Sequence, residues 1–159
     1  MPEIERKFLV DAPPPGLEAR RSEPIAQGYL AIAPDGVEVR VRRRGDATSL
    51  TVKSGPHMVR VEEEIPIAAE RFAALWPLTD GRRLDKVRHY VPLDGGVEAE
   101  LDVYAGALEG LLTAEIEFPS EAAARAFVPP PWLGRDVTGD PAYANQTLAL
   151  RGAPAPPQG

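Results

Sequence analysis

The sequence predicts an α+β domain built on an antiparallel sheet of eight strands, enough to close a barrel. Three observations predict it. Short segments of strict period-two alternation recur along the chain, as in strands with two unlike faces. Turn residues such as Pro34-Asp35-Gly36 and Asp94-Gly95-Gly96 separate them. Helix patterns are few and short, so strands must supply most of the framework.

The first strand, 2–10, sets Glu3, Glu5 and Lys7 against Ile4, Phe8 and Val10, with Arg6 on the apolar side. The second, 25–33, ends at the Pro34-Asp35-Gly36 turn. The third, 37–44, opposes Glu38, Arg40 and Arg42 to Val37, Val39 and Val41; the fourth, 48–54, opposes Ser49, Thr51 and Lys53 to Leu50 and Val52. The fifth, 58–66, sets Arg60, Glu62 and Glu64 against Val59, Val61 and Ile65, with Glu63 the exception. An amphipathic helix at 69–76 carries Phe72, Leu75 and Trp76 and is stopped by Pro77.

The sixth strand, 84–92, opposes Lys86, Arg88 and Tyr90 to Val87 and Val91; the seventh, 97–104, opposes Glu98, Glu100, Asp102 and Tyr104 to Val97, Leu101 and Val103. The eighth, 112–118, opposes Glu115 and Glu117 to Ile116 and Phe118. Ser120 is placed to cap an alanine-rich helix at 121–127, and Asp140-Pro141 opens a helix from 141 to about 150. The chain therefore reads as one domain, 1–151, followed by a disordered proline-rich tail, 152–159.

Composition narrows the function. With 18 Lys+Arg against 24 Asp+Glu the net charge is -6, which argues against a general nucleic-acid binder and against anionic membrane surfaces. No apolar run approaches a membrane span and no signal-peptide core opens the chain, so a cytoplasmic location is expected. The absence of cysteine excludes disulfides and thiolate chemistry. Any metal must sit on oxygen.

A solvated strand face ordinarily mixes Thr, Ser and Gln with charges, whereas here seven strands present almost only Arg, Lys, Glu and Asp. Like charges also stack two residues apart, as in Arg40 with Arg42, Lys86 with Arg88, Glu62 with Glu64, and Glu115 with Glu117. At roughly 6.5–7 Å such neighbours repel unless something binds between them. Clustered cations suit a polyanion, and paired carboxylates suit a hard divalent cation such as Mg²⁺ or Mn²⁺. Turned inward, these faces would form a charged lumen with the apolar faces packed outward against the helices.

These residues also carry a family pattern. Glu3-Ile4-Glu5-Arg6-Lys7-Phe8 resembles the E-x-E-x-K signature of the CYTH superfamily, the triphosphate tunnel metalloenzymes. Gln27-Gly28-Tyr29-Leu30, Val39-Arg40-Val41-Arg42, Leu50-Thr51-Val52-Lys53 and Arg60-Val61-Glu62-Glu63-Glu64 follow in order. Lys86-Val87-Arg88-His89-Tyr90, Glu100-Leu101-Asp102-Val103-Tyr104, Ala114-Glu115-Ile116-Glu117-Phe118 and a closing Asp136-Val137-Thr138 through Tyr143-Ala144-Asn145 complete it, so that the resemblance covers residues 2 to about 150. One departure is Val87, where many relatives have threonine; its parity places it on the outer face.

The resemblance, to the bacterial stand-alone type, implies an eight-stranded tunnel that binds a linear triphosphate with Mg²⁺ or Mn²⁺. It implies a phosphate-binding set of Lys7, Arg40, Arg42, Lys53, Arg60, Lys86 and Arg88, and a metal set of Glu3, Glu5, Glu62, Glu64, Asp102, Glu115 and Glu117. Tyr29 matches a tyrosine proposed in some members to form a catalytic dyad with the signature lysine, here Lys7. The expected activity is hydrolysis of inorganic tripolyphosphate to diphosphate and phosphate by a metal-activated water. Nucleoside or thiamine triphosphatase, class IV adenylate cyclase and a non-catalytic polyphosphate-binding module are the alternatives, and a homodimer is left open. Outside this set, Arg43 and Arg44 beside Gly45 read as solvated turn charges, and the helix from 141 as a closure for one end of the tunnel.

Overall fold

The computed structural model describes residues 2–55 and 57–155. The last four residues of the expected tail lie outside these; residues 152–155 have no helix or strand. Among the described residues nine strands are formed: β1 (Glu3–Leu9), β2 (Ser22–Ile32), β3 (Glu38–Arg44), β4 (Ala47–Lys53), β5 (Val59–Arg60), β6 (Glu62–Pro66), β7 (Arg83–Pro92), β8 (Glu98–Tyr104) and β9 (Leu112–Glu117). They pair antiparallel in the order β5-β1-β9-β8-β7-β2-β3-β4-β6.

The count differs from eight because the expected strand 58–66 is shared between two neighbours. Val59 and Arg60 pair with β1, whereas Glu62 to Pro66 pair with β4. Between them the Val61 N–H donates to Ser54 Oγ at 3.0 Å and the Val61 carbonyl accepts from the Ser54 N–H at 3.0 Å. One stretch of chain thus joins the two ends of the sheet, and the barrel is nearly closed.

Among the described residues three α-helices flank it: α1 (Ala69–Leu75), α2 (Glu121–Ala126) and α3 (Asn145–Arg151). The first α-helix ends just before Pro77, as expected, and a 3₁₀ turn, Trp76–Thr79, follows with Pro77 in its first turn, where a missing N–H leaves no bond unmade. That turn presses on β2, since a Cβ on Gly28 would meet Thr79 Cβ at 2.5 Å. Ser120 caps α2 as expected, its Oγ accepting from the Ala123 N–H at 3.0 Å. The expected helix from 141 is broken instead: Asp140 caps a 3₁₀ turn over Pro141–Tyr143, Ala144 is extended, and α3 begins at Asn145.

The main apolar core lies outside the barrel, as parity required. Phe8, Leu101, Ala114, Ile116 and Phe118 pack with Ala124 of α2 and with Leu133. Burial of this kind contributes roughly 1.5–3 kcal/mol per large side chain. The outward packing is incomplete on the β4–β6 side, where Val52, Val61 and Ile65 remain exposed. A second cluster departs from the expected all-polar lumen: Leu84 and Tyr104, on inner faces, meet Leu108 and Leu148 of α3 and fill one end of the barrel. Among the described residues no helix is long and apolar enough to cross a membrane.

Candidate active site

Inside the barrel, strand register places charges across from one another, opposite in sign at Lys7–Glu115 and alike at Glu5–Glu117. Lys7 faces Glu115 and Glu5 faces Glu117 between β1 and β9; Glu38 and Glu62 flank Lys53 from β3 and β6. The opposite-charge pairs stabilise the sheet, whereas two carboxylates face to face, as at Glu5 and Glu117, destabilise it unless a cation lies between them. These side chains surround a cavity of about 220 Å³ lined, among the described residues, by seven basic and nine acidic side chains. That is smaller than the ~300–1,000 Å³ sites that take drug-sized ligands.

One wall is a carboxylate cluster. Lys53 Nζ lies 2.9 Å from Glu3 Oε2, 3.8 Å from Glu5 Oε1 and 4.0 Å from Glu62 Oε2. Burial pushes the Glu3 carboxyl above its usual range, with neighbouring Glu62 adding to the rise. Burial and then the Glu115 charge push Glu5 well above. Glu38 shares one oxygen between Arg60 at 3.3 Å and Arg40 at 3.7 Å, while its other oxygen is buried without a hydrogen-bond partner. Crowded carboxylates with an orphaned oxygen are what a hard divalent cation relieves, so the donor set fits Mg²⁺ or Mn²⁺. No three acidic or histidine side chains among the described residues are already gathered as ligands for one ion. Mg²⁺ characteristically takes one or two carboxylates and completes its shell with phosphate oxygens and water.

Cations line the same strands beside the carboxylates. Arg42 donates from Nε at 3.0 Å and Nη2 at 2.8 Å to the neutral Gln27 Oε1. Burial, then the Arg40 and Arg88 charges, pull Arg42 down to about 10. A buried guanidinium whose hydrogen-bond acceptor is an amide oxygen is poised to accept an anion. Lys7 Nζ donates to the Tyr143 carbonyl at 2.6 Å and lies 3.7 Å from Glu115 Oε1. Burial pushes Glu115 up, but Lys7, Arg88, Lys86 and Lys53 together hold it well below the usual range.

Most of the expected residues converge on this cavity: Glu3, Glu5, Lys7, Arg40, Arg42, Lys53, Arg60, Glu62, Glu64, Arg88, Glu115 and Glu117 all line it. Three sit elsewhere. Lys86 is fully buried behind the wall, its Nζ 2.8 Å from Asp102 Oδ2. Asp102 also takes Arg88 in a two-point grip, at 2.8 and 3.0 Å, so its oxygens are already engaged by cations. Burial pushes Asp102 up, yet Arg88 and Lys86 outweigh it and hold it below the usual range. Tyr29 is fully buried, with its hydroxyl accepting from Gln27 Nε2 at 2.9 Å. No hydrogen bond joins Lys7 to Tyr29 among the described residues; their partners are the Tyr143 carbonyl and Gln27.

Sequence reasoning missed Arg44, which lines the cavity rather than a solvated turn, and it placed the helix from 141 at one end of the tunnel without singling out Thr138, Asp140, Asn145 and Gln146, a strap of lining residues. Arg44 shares the parity of Arg40 and Arg42, a signal that was present; the strap carries no charge pattern. The strap is bound at several points. Thr138 Oγ1 accepts from the Lys7 N–H at 3.0 Å, Asn145 Oδ1 accepts from the Tyr104 hydroxyl at 2.6 Å, and Gln146 Nε2 donates to the Gly36 carbonyl at 3.0 Å. With the Leu84–Tyr104–Leu108–Leu148 cluster it closes one end of the barrel. At the other end Glu64 and Glu117 are exposed and the Arg44 side chain is 43% exposed. The cavity opens there.

A nearly closed antiparallel barrel with charged side chains inside and apolar side chains packed outside defines the class of charged tunnels. No family model matches the chain. It is 47% identical over 150 residues, 94% of this chain and 98% of the other, to an inorganic triphosphatase of Nitrosomonas europaea. It is 38% identical over 153 residues to an inorganic triphosphatase of Acetivibrio thermocellus, covering 92% of each. A crystal structure of an inorganic triphosphatase superposes with a TM-score of 0.70 at 47% identity, covering 93% of this chain and 94% of that one. A Pyrococcus furiosus protein, at 20% identity and a TM-score of 0.57, shares the fold alone. The chain belongs to the CYTH, or triphosphate tunnel, family.

Proposed function

We propose that the protein hydrolyses inorganic tripolyphosphate to diphosphate and phosphate in the presence of Mg²⁺ or Mn²⁺, in the cytoplasm. The observation that carries this reading is the small charged cavity, open at one end and stopped at the other by α3. A linear phosphate chain suits it, and the relatives named inorganic triphosphatases support it.

Arg40, Arg42, Lys53, Arg60 and Arg88 bind the phosphate oxygens, Arg42 with the donors that Gln27 now occupies. Lys7, between Glu115 and the Tyr143 carbonyl, supplies a compact positive charge beside the reacting phosphate. Glu3, Glu5, Glu62, Glu64, Glu115 and Glu117 would hold the divalent ion, which supplies neutralisation of the phosphate oxygens when bound. Lys86, Asp102 and Tyr29 act from behind the wall. Lys86 and Asp102 orient Arg88, and Tyr29 orients Gln27 and through it Arg42. The oxygen of water bonds to the terminal phosphorus as the bridging P–O bond breaks, and diphosphate leaves with the electron pair. Positioning and charge neutralisation provide the rate enhancement.

The test is phosphate release from tripolyphosphate, ATP and thiamine triphosphate, with and without Mg²⁺, and with cyclic AMP measured alongside. Faster release from tripolyphosphate that disappears with chelator is expected. Cyclic AMP as the main product, or equal rates on all three, would overturn the reading.

A further inference from the structure

Arg44 is the last residue of β3, immediately before the Gly45-Asp46 hairpin, where Gly45 adopts φ 57 and its N–H donates to the Pro24 carbonyl at 2.9 Å. This hairpin is anchored, so the Cα of Arg44 is fixed at the open mouth, roughly 6.5–7 Å further out than Arg42 on the same strand face. Its side chain is held from β2: Glu23 Oε2 lies 3.6 Å from Arg44 Nε and accepts from the Tyr90 hydroxyl at 2.6 Å. Arg21 in turn covers the Tyr90 ring at 3.7 Å. The bracket Arg21–Tyr90–Glu23–Arg44 therefore runs along the rim from β7 through β2 to β3.

The other cavity guanidiniums are more deeply buried, and all but Arg40, whose Nε is buried without a hydrogen-bond partner, have donors in hydrogen bonds. Arg88 pairs with Asp102 and Glu100, and Arg60 with the Ser54 carbonyl and Glu38, so each meets phosphate with only part of its fork. Arg44 has a single ion pair among the described residues, longer than an optimal one and solvent-accessible, so its planar fork remains available to an incoming anion. Its place also dictates what it meets. With the far end filled by α3, whatever a triphosphate carries beyond its third phosphate must project from the mouth.

We propose that Arg44 reads the outermost phosphate and makes the site prefer a triphosphate with a free end over one esterified to a nucleoside. The chemistry is specific. The outer phosphate of tripolyphosphate is terminal, with three non-bridging oxygens and close to two negative charges. In a nucleoside triphosphate the same position is a phosphodiester-like group with two such oxygens and one charge, and its fourth oxygen leads to ribose. A two-point guanidinium contact at the mouth is stronger with the first than with the second.

This inference rests on the triphosphatase reading, and one set of measurements separates them. Steady-state kinetics on tripolyphosphate and ATP are compared for the wild type, Arg44→Ala and Arg44→Lys, with thermal unfolding to check that each variant is folded. In Arg44→Ala, kcat/KM for tripolyphosphate is expected to fall about tenfold, mostly through KM, a loss of about 1.4 kcal/mol. The value for ATP should change less than about twofold, so the preference ratio shrinks. Arg44→Lys, which keeps the charge without the fork, should fall between. A folded Arg44→Ala with the wild-type ratio, whether both substrates lose equally or neither does, overturns the role of Arg44. A wild type that does not turn over tripolyphosphate overturns both readings.

Discussion

Lys86 Nζ lies 2.8 Å from Asp102 Oδ2, and neither side chain has any solvent exposure. The carboxylate also anchors Arg88, so one aspartate neutralises two buried cations. Burial draws the Lys86 ammonium down to about 7, with Asp102 resisting the fall and Arg88 and Arg42 adding to it.

Asp102→Asn leaves both cations buried without their charge partner. A loss of about 3–5 kcal/mol is expected from urea unfolding, the range seen when one member of a buried pair is removed. A loss under about 1 kcal/mol would mean that water or a rearranged Glu115 takes over the role.

Arg6 points out of the barrel and fastens α2 to it. Its Nη1 donates to the Ala124 carbonyl at 3.0 Å and the Phe127 carbonyl at 3.1 Å, and its Nη2 to Asp136 Oδ2 at 2.9 Å. Arg6→Ala should cost about 2 kcal/mol of stability and leave kcat/KM within about twofold of the wild type. A large fall in turnover with unchanged stability would contradict this purely structural role.

Lys7→Ala and Glu117→Ala are expected to reduce tripolyphosphate turnover by at least ~100-fold, the scale of losing a charge that acts in the transition state. Circular dichroism should show a folded barrel in both. Retention of full activity by either variant would place the reacting phosphate elsewhere.

Burial pushes the Tyr90 phenol up to about 12, assisted by its hydrogen bond to Glu23 and by that carboxylate's charge. The folded state then holds a proton that the unfolded chain releases near pH 10. Stability from this group is fully present below that pH and is lost as pH rises through about 12. Glu23→Gln keeps an acceptor but removes the charge. Phenolate absorbance should therefore show Tyr90 titrating at lower pH in the variant; an unchanged titration curve would show that Glu23 is not what holds the proton.

Parity along the strands was legible because it is written locally. Glu3, Glu5 and Lys7, or Arg40 and Arg42, face inward for the same reason that Phe8 and Val41 face outward, and two-residue spacing declares it. Depth was not legible. Lys86 and Arg88 share a face, yet only Arg88 reaches the cavity, because α3 fills the end nearer Lys86 with Leu148. The strands that carry Lys7 and Tyr29 are separated in the sheet by β7, β8 and β9, so their side-chain heights cannot be compared from spacing. The division at Val61 depends on which neighbours the chain finds on either side of it. Arg44 was concealed by the turn that follows it.

The filled end has a kinetic consequence. Substrate and products share one doorway, so traffic is single file: the fragment lying deeper departs only after the outer one has gone. Added product should inhibit from the mouth inwards, and a slow last exit, rather than bond cleavage, would then set the turnover rate.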